Sequence, residues 1–367
     1  MSRPKVVIAG LGDTGVLTAI HLSSYADVVG ISSKPGLVSG QELGLRLARP
    51  REWVRHYWVS FDRYHRLDRA EKVHATITGL DPGARVLTLL DADGVTRSQS
   101  YDVLVIATGV TNGFWRRPDL ETKDEVNSAL ETAHQRLEAA PSVAVIGGGA
   151  AAVSSAFNVA TTWPDKQVDL YFPGERALPH HHGKVWGTLS KRLESLGVGL
   201  HPGHRAVVAD GFDCDEITDG PITWSTGQPP SGADAVLWTI GRVRPNTGWV
   251  PNELLDGDGF VVVDDYLRVP GAASVYAIGD VAATDPLRNS ARSRADGLLA
   301  HNIRADLDGG TPKRFKPARR RWGSVVGAQA KGLEVFAPSG QGFTIPAWPL
   351  LQPLVVFRAI YKGVRRA

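Results

Sequence analysis

The feature that most constrains this chain is a unit of strand, glycine turn and helix that occurs twice. Val6, Val7, Ile8 and Ala9 form an apolar run of buried-strand type. Gly10, Gly12 and Gly15 follow at the spacing GxGxxG, and Leu17, Ile20 and Leu22 then recur at helical spacing. Each glycine has its own task in such a turn. Gly10 lets the chain leave the strand sharply, Gly12 leaves no Cβ between backbone and phosphate, and Gly15 lets helix and strand pack closely. With Asp13 and Thr14 between them, they lead to a helix start that offers unpaired N–H groups and about half a positive charge to an anion. About 135 residues later, Val143, Ala144, Val145 and Ile146 run into Gly147, Gly148, Gly149, Ala150, Ala151 and Ala152, with alanine in the third glycine place. One match of this kind is weak, but two in 367 residues predict two dinucleotide-binding units.

A second form also repeats. Tyr101 to Gly109, ending Ala107-Thr108-Gly109, and Ala233 to Gly241, ending Ile240-Gly241, each run from Asp through apolar residues to Gly. Such strands can carry the chain between two units. Ser274 to Ile278 ends in Gly279-Asp280 at an expected helix start, which puts a carboxylate where a sugar-alcohol chain would cross.

The ribose positions are less regular. Val28 to Ile31 leads to Ser32 and Ser33, where dinucleotide folds usually place Asp or Glu; serine hydroxyls can still bond a ribose. Val168 to Phe172 leads to Pro173, Gly174, Glu175 and Arg176. Glu175 is the candidate for a ribose and Arg176 for a 2′-phosphate, which leaves NADH and NADPH both open. From Val73 to Val103, short alternating runs separated by Asp81-Pro82-Gly83 and Asp91-Ala92-Asp93-Gly94 predict an antiparallel meander.

Composition removes other classes. Cys214 is the single cysteine, which excludes an intrachain disulfide, a thiol relay and a multi-cysteine metal centre. The histidines 180 to 182 have no companion ligand set and are expected in a solvated loop, with no metal. The formal charge is +3; the clusters Lys313 to Arg321 and Lys362 to Arg366 are expected as solvated surface, and nothing else points to nucleic acid. No stretch approaches the roughly 18 apolar residues of a membrane span, and no leader is visible, so a cytoplasmic protein is expected. Leu350, Leu354, Phe357, Tyr361 and Val364 recur at helical spacing. Core docking, a homodimer contact, or a basic amphipathic helix on an anionic membrane face are the three readings of that stretch.

The motifs GLGDTG, LVIATG, GGGAAA, WTIGRVRPN and SVYAIGD, in this order over residues 5 to 305, resemble the two-dinucleotide-domain flavoprotein superfamily. Within it, the chain is similar to the non-thiol branch holding apoptosis-inducing-factor-like proteins of the ferroptosis-suppressor type and type II NADH dehydrogenases. The resemblance implies an α/β fold of two Rossmann-like domains, the second inserted in the first. The FAD-binding domain would comprise 1–110 and 234–310, the NAD(P)H-binding domain 111–233, and a small α+β unit with a basic amphipathic helix 311–367. It also implies FAD on the first loop with Asp280 on the ribityl chain, and NADH or NADPH on the second loop. Hydride would pass from nicotinamide to flavin, and electrons onward to a quinone-like or other non-thiol small molecule. A ferredoxin-type small redox protein is the alternative acceptor, and a redox-sensing protein that binds a partner or membrane the alternative role. No side-chain acid or base is required, so no catalytic residue is assigned. The rings of residues 37 to 66 are expected as core over the cofactor or as lining of the isoalloxazine or acceptor pocket. Arg288, Arg292 and Arg294 stand where quinone-reducing relatives carry Ala-Gln or apolar residues.

Overall fold

A computed structural model describes residues 3–39, 43–111, 118–240, 243–287, 290, 295–317 and 319–365. Its first sheet has the order Val275–Ala277, Val103–Ile106, Lys5–Ala9, Asp27–Ser32, Glu71–His74, with every neighbouring pair parallel. A parallel sheet is covered on both faces, so its strands must be apolar throughout. Accordingly Val6 to Ala9 and Val103 to Ile106 are buried. Helices Asp13–Leu22 and Ala295–Asp308 pack together on one face. The other face carries the antiparallel strands Thr76–Asp81, Val86–Leu90 and Thr96–Ser100. The meander expected from Val73 onward is therefore present, except that Val73 and His74 belong to strand Glu71–His74 of the parallel sheet and the antiparallel strands begin at Thr76.

The second sheet repeats the plan in the order Gly199–His201, Gln167–Tyr171, Ser142–Ile146, Ser231–Trp238, Ile217–Ile222. Its first four strands are parallel and the last is antiparallel. Helix Lys123–Ala139 enters this unit through a capping box, in which Thr122 Oγ1 accepts from Glu125 N–H at 3.2 Å and the Glu125 carboxylate accepts from Thr122 N–H at 2.7 Å. The expected boundary between 233 and 234 cuts through a strand. Ala235 to Trp238 of that strand, Ser231–Trp238, pair with Val143 to Ile146.

The aromatic stretch is core rather than cavity lining. Trp53 and Trp58 are buried with the second sheet's apolar cluster, and Tyr64 with the first's. The helix expected directly after Asp280 begins later: a single 3-10 turn spans Gly279–Val281, and Ala295–Asp308 is the next helix among the described residues. Arg288, Arg292 and Arg294 lie outside the described residues.

The C-terminal unit is a three-stranded antiparallel sheet, Ala328–Gln329, Gly332–Phe336 and Gly342–Ile345, followed by helix Trp348–Gln352 and a π-helical stretch Pro353–Ile360. Arg192 grips Glu334 with two donors at 2.6 and 2.9 Å, tying this unit to the second domain. The tail then returns to the first domain. Tyr361 is buried edge-on against Tyr64, with ring centroids 5.3 Å apart. The apolar stripe read from sequence is thus divided: Tyr361 docks in the core, while Leu350 and Leu354 remain exposed.

Candidate active site

The two glycine turns are built alike. Gly10 N–H donates to Ile31 O at 2.9 Å and Gly147 N–H to Tyr171 O at 2.8 Å, each reaching the end of the neighbouring strand. On the other side, Ala107 N–H donates to Ala9 O and Thr239 N–H to Ile146 O, at 2.8 and 2.9 Å. Both leading glycines hold positive φ, +102° at Gly10 and +142° at Gly147. A Cβ at Gly10 would sit 2.5 Å from Ala107 O, and one at Gly147 2.4 Å from Thr239 Oγ1. Gly15 is closed more tightly, since a Cβ there would lie 1.9 Å from Gly10 O. By contrast, a Cβ at Gly12 or Gly149 would meet nothing within 4 Å. These two are the N-caps of helices Asp13–Leu22 and Ala150–Thr162, and neither helix start has a side-chain cap. Each turn therefore presents open helix-start N–H groups, which is what a pyrophosphate requires.

The first turn opens on a cleft of about 850 Å³. Gly10, Gly12, Asp13, Thr14, Ser32, Ser33, Ala107, Thr108, Gly109, Gly279 and Asp280 all line it, while Gly15 packs behind the turn. A cleft that gathers turn, ribose-end serines and the Asp280 carboxylate fits an extended dinucleotide such as FAD. Two donors orient Asp13: Ser39 Oγ at 3.1 Å and, from the C-terminal tail, Tyr361 OH at 3.2 Å. Burial, and then the Asp13 charge, push the Tyr361 phenol well above its ordinary range, so it stays protonated as a donor.

Sequence reasoning missed two parts of this cleft. Lys34, buried beside Ser32 and Ser33, pairs with Glu121 at 2.7 Å and also bonds the Asp119 carbonyl. The second part is a clasp at Asn246. Its side chain donates to Thr108 O at 3.0 Å and accepts from Thr111 Oγ1 at 2.7 Å, while Thr108 Oγ1 donates to the Asn246 carbonyl at 2.9 Å. The clasp joins the two crossover strands, Val110–Thr111 pairing antiparallel with Arg244–Pro245. The Arg-Pro-Asn run behind the second strand was the available clue.

The second turn adjoins a cavity of about 540 Å³ lined by Gly147, Tyr171, Pro173, His204, Arg205 and Ile240 among others. Gly148, Ala150 and Ala151 are half-buried beside it, and Gly149 is exposed. Glu175, the ribose candidate, lines none of the three cavities, and Arg176, the 2′-phosphate candidate, lines a third. Gly241 lies outside the described residues. Residues 243 to 246 form a wall common to both sites, because Val243 and Pro245 line the first cleft and Arg244, between them, lines the second cavity. Cys214 is buried, and that burial raises its thiol above the usual range, so it offers no reactive thiolate.

Two dinucleotide turns on either side of one wall define a nicotinamide- and flavin-dependent oxidoreductase. The chain belongs to the pyridine nucleotide-disulphide oxidoreductase family, whose model matches residues 4–332; the family uses FAD with NADH or NADPH. It is 31% identical to the oxidoreductase ptaL of Pestalotiopsis fici over 75% of this chain and 71% of that protein. It is 25% identical to ferroptosis suppressor protein 1 of Xenopus tropicalis over 85% of this chain and 83% of that protein. The sulfide:quinone oxidoreductase of Aquifex aeolicus shares the fold, with a TM-score of 0.72 at 15% identity over 98% of this chain and 92% of that one.

Proposed function

We propose that this enzyme passes reducing equivalents from NADH or NADPH, through FAD, to a small quinone-like or other non-thiol acceptor. The observation that carries the reading is the pair of open turns separated by the wall at residues 243 to 246. In this reading the FAD-binding unit comprises 1–110 and about 239–310, the latter starting where the second sheet ends. The helix-start N–H groups after Gly12 hold its pyrophosphate, Ser32, Ser33 and Lys34 face its ribose end, and Asp280 accepts from its ribityl hydroxyls. The turn from Gly147 to Ala151 holds the nicotinamide dinucleotide. When bound, FAD supplies a ring that takes hydride from the nicotinamide and returns electrons to the acceptor. The protein contributes position: the Asn246 clasp holds the two crossovers in register, so the domains keep one orientation. The buried Cys214 thiol supports a non-thiol acceptor, as does the quinone named for the Aquifex protein.

Anaerobic mixing of the purified flavoprotein with NADH or NADPH is expected to bleach its visible absorption, and a soluble quinone to restore it. Failure of both nucleotides to bleach it would overturn the reading, and recovery with ferredoxin alone would transfer the acceptor to a redox protein.

A specific surface favours peripheral contact with lipid. Leu350 is 78% exposed, and Leu351, Leu354, Val355, Ile360 and the nearby Phe343 are exposed with it, next to Arg358. No helix among the described residues is long and apolar enough to cross a membrane. The double substitution Leu350→Asp and Leu354→Asp is expected to lower cosedimentation with anionic vesicles at least about fivefold, leaving the melting temperature within a few degrees. Unchanged vesicle binding would reject this contact, and a dimer lost in the same variant would assign the face to a second copy.

A further inference from the structure

Beside the flavin cleft lies a third cavity, of about 530 Å³, whose walls are cationic. Arg176, His180, His181, His182, Arg319 and Arg320 line it, and no Asp or Glu is among its lining residues. It adjoins the first cleft, because Pro286 and Leu287 line both. The other two cavities are mixed in sign, with Asp13 and Asp280 in the first and Asp210 and Asp213 in the second.

The three arginines of this cavity are exposed, and they differ from the arginines that the fold holds in ion pairs. Elsewhere, Arg97 pairs with Asp91, Arg192 with Glu334, Arg268 with Asp306 and Arg365 with Asp68. Arg176, Arg319 and Arg320 have no carboxylate partner among the described residues, and Arg176 makes only a long bond to Pro179 O at 3.5 Å. The cavity is also walled by fixed backbone. Arg321 N–H donates to His180 O at 3.1 Å, and His182 Nδ1 caps helix Gly183–Ser195 by accepting from Lys184 N–H at 3.2 Å. His181 is buried. Burial, and then the Arg321 charge, hold His180 below the usual imidazole range, leaving it a neutral donor or acceptor. A concave site lined by one sign of charge concentrates ligands of the other.

We infer that this cavity is a binding site for a phosphate or other compact polyanionic group, held by Arg176, Arg319 and Arg320 at the edge of the flavin cleft. Guanidinium forks match phosphate and carboxylate oxygens geometrically, and a cavity of this volume takes a small molecule rather than a protein surface. The inference deepens the proposed function: the group belongs either to an anionic electron acceptor or to the nicotinamide cofactor.

The test is calorimetric titration of inorganic pyrophosphate into the FAD-loaded protein, which needs no turnover and so can fail or succeed separately from flavin reduction. Saturable binding is expected, weakened about tenfold or more by Arg319→Ala with Arg320→Ala and partly restored by the double lysine variant. The flavin spectrum and melting temperature report that the variants are folded. Pyrophosphate that competes with NADPH but not NADH places the cofactor's 2′-phosphate here. Pyrophosphate that raises the KM for the anionic acceptor ferricyanide, with no effect on an uncharged quinone, places an acceptor here. No saturable binding, or binding unaffected by the arginine variants, would overturn the inference. Salt-sensitive transfer to an acidic redox protein without pyrophosphate binding would overturn it too, in favour of a protein docking face.

Discussion

Gly12→Glu is expected to fold and to lose its flavin. Some glycines of the turn are needed by the fold and others by a ligand. A side chain at Gly15 would collide with Gly10 O, and one at Gly10 with Ala107 O, so substitution at either disturbs the packing of helix on strand. Those variants should be destabilised by a few kcal/mol, and flavin loss in them would say little about binding. Gly12 differs because its φ is −70° and the space above it is open. The new carboxylate lies at a positive helix end, where it costs the apo protein little. It also occupies the pyrophosphate position and removes about two charge-assisted bonds of roughly 1.5–3 kcal/mol each. A loss of at least about a hundredfold in FAD affinity follows. The check is flavin content after gel filtration together with thermal melting of apo wild type and variant. A variant that retains stoichiometric FAD would show that the first turn is not the pyrophosphate site.

What could be read from sequence, and what could not, follows from the range of the forces involved. The glycine turns were legible because their geometry is local. A strand of Val and Ile ending at a positive-φ glycine, with a helix starting within three residues, has few alternatives, and both copies have that conformation. The parallel strands were legible for a similar reason, since burial on both faces demands unbroken apolar runs. The Lys34–Glu121 pair, the Asn246 clasp and the Tyr361–Asp13 bond were hidden because their partners are far apart in sequence and carry no periodicity. Ser32 and Ser33 stand where a ribose carboxylate is usual, with hydroxyls that can still bond a ribose. The structure adds a buried cation–anion pair beside them, which no pattern around Ser32 announces. The placement of Arg176 in the third cavity was hidden in the same way, because the loop after strand Gln167–Tyr171 is tied by Leu178 N–H donating to Gly148 O at 2.7 Å, a contact across thirty residues.

Gly149→Glu is expected to give the complementary result, a protein that keeps FAD but is not reduced by NADH or NADPH. The second turn offers the same contrast as the first: Gly147 is closed by Thr239 Oγ1 and positive φ, whereas Gly149 is exposed with φ −87° and open space around its missing side chain. The third place of this turn already carries Ala152, fully buried, so this helix start accommodates a Cβ where Gly15 cannot. A carboxylate at residue 149 therefore leaves the helix and sheet in place and meets the nicotinamide cofactor's pyrophosphate with like charge. Because the first cleft is lined by neither Gly149 nor its neighbours, FAD content and spectrum should match wild type. The expected loss is at least about a hundredfold in the rate of anaerobic bleaching at low nucleotide concentration. Dithionite should still reduce the variant fully, and reoxidation by the acceptor should proceed at the wild-type rate. Unaltered bleaching by both nucleotides would mean that the second turn is not where the electron donor sits, even with the flavin site intact.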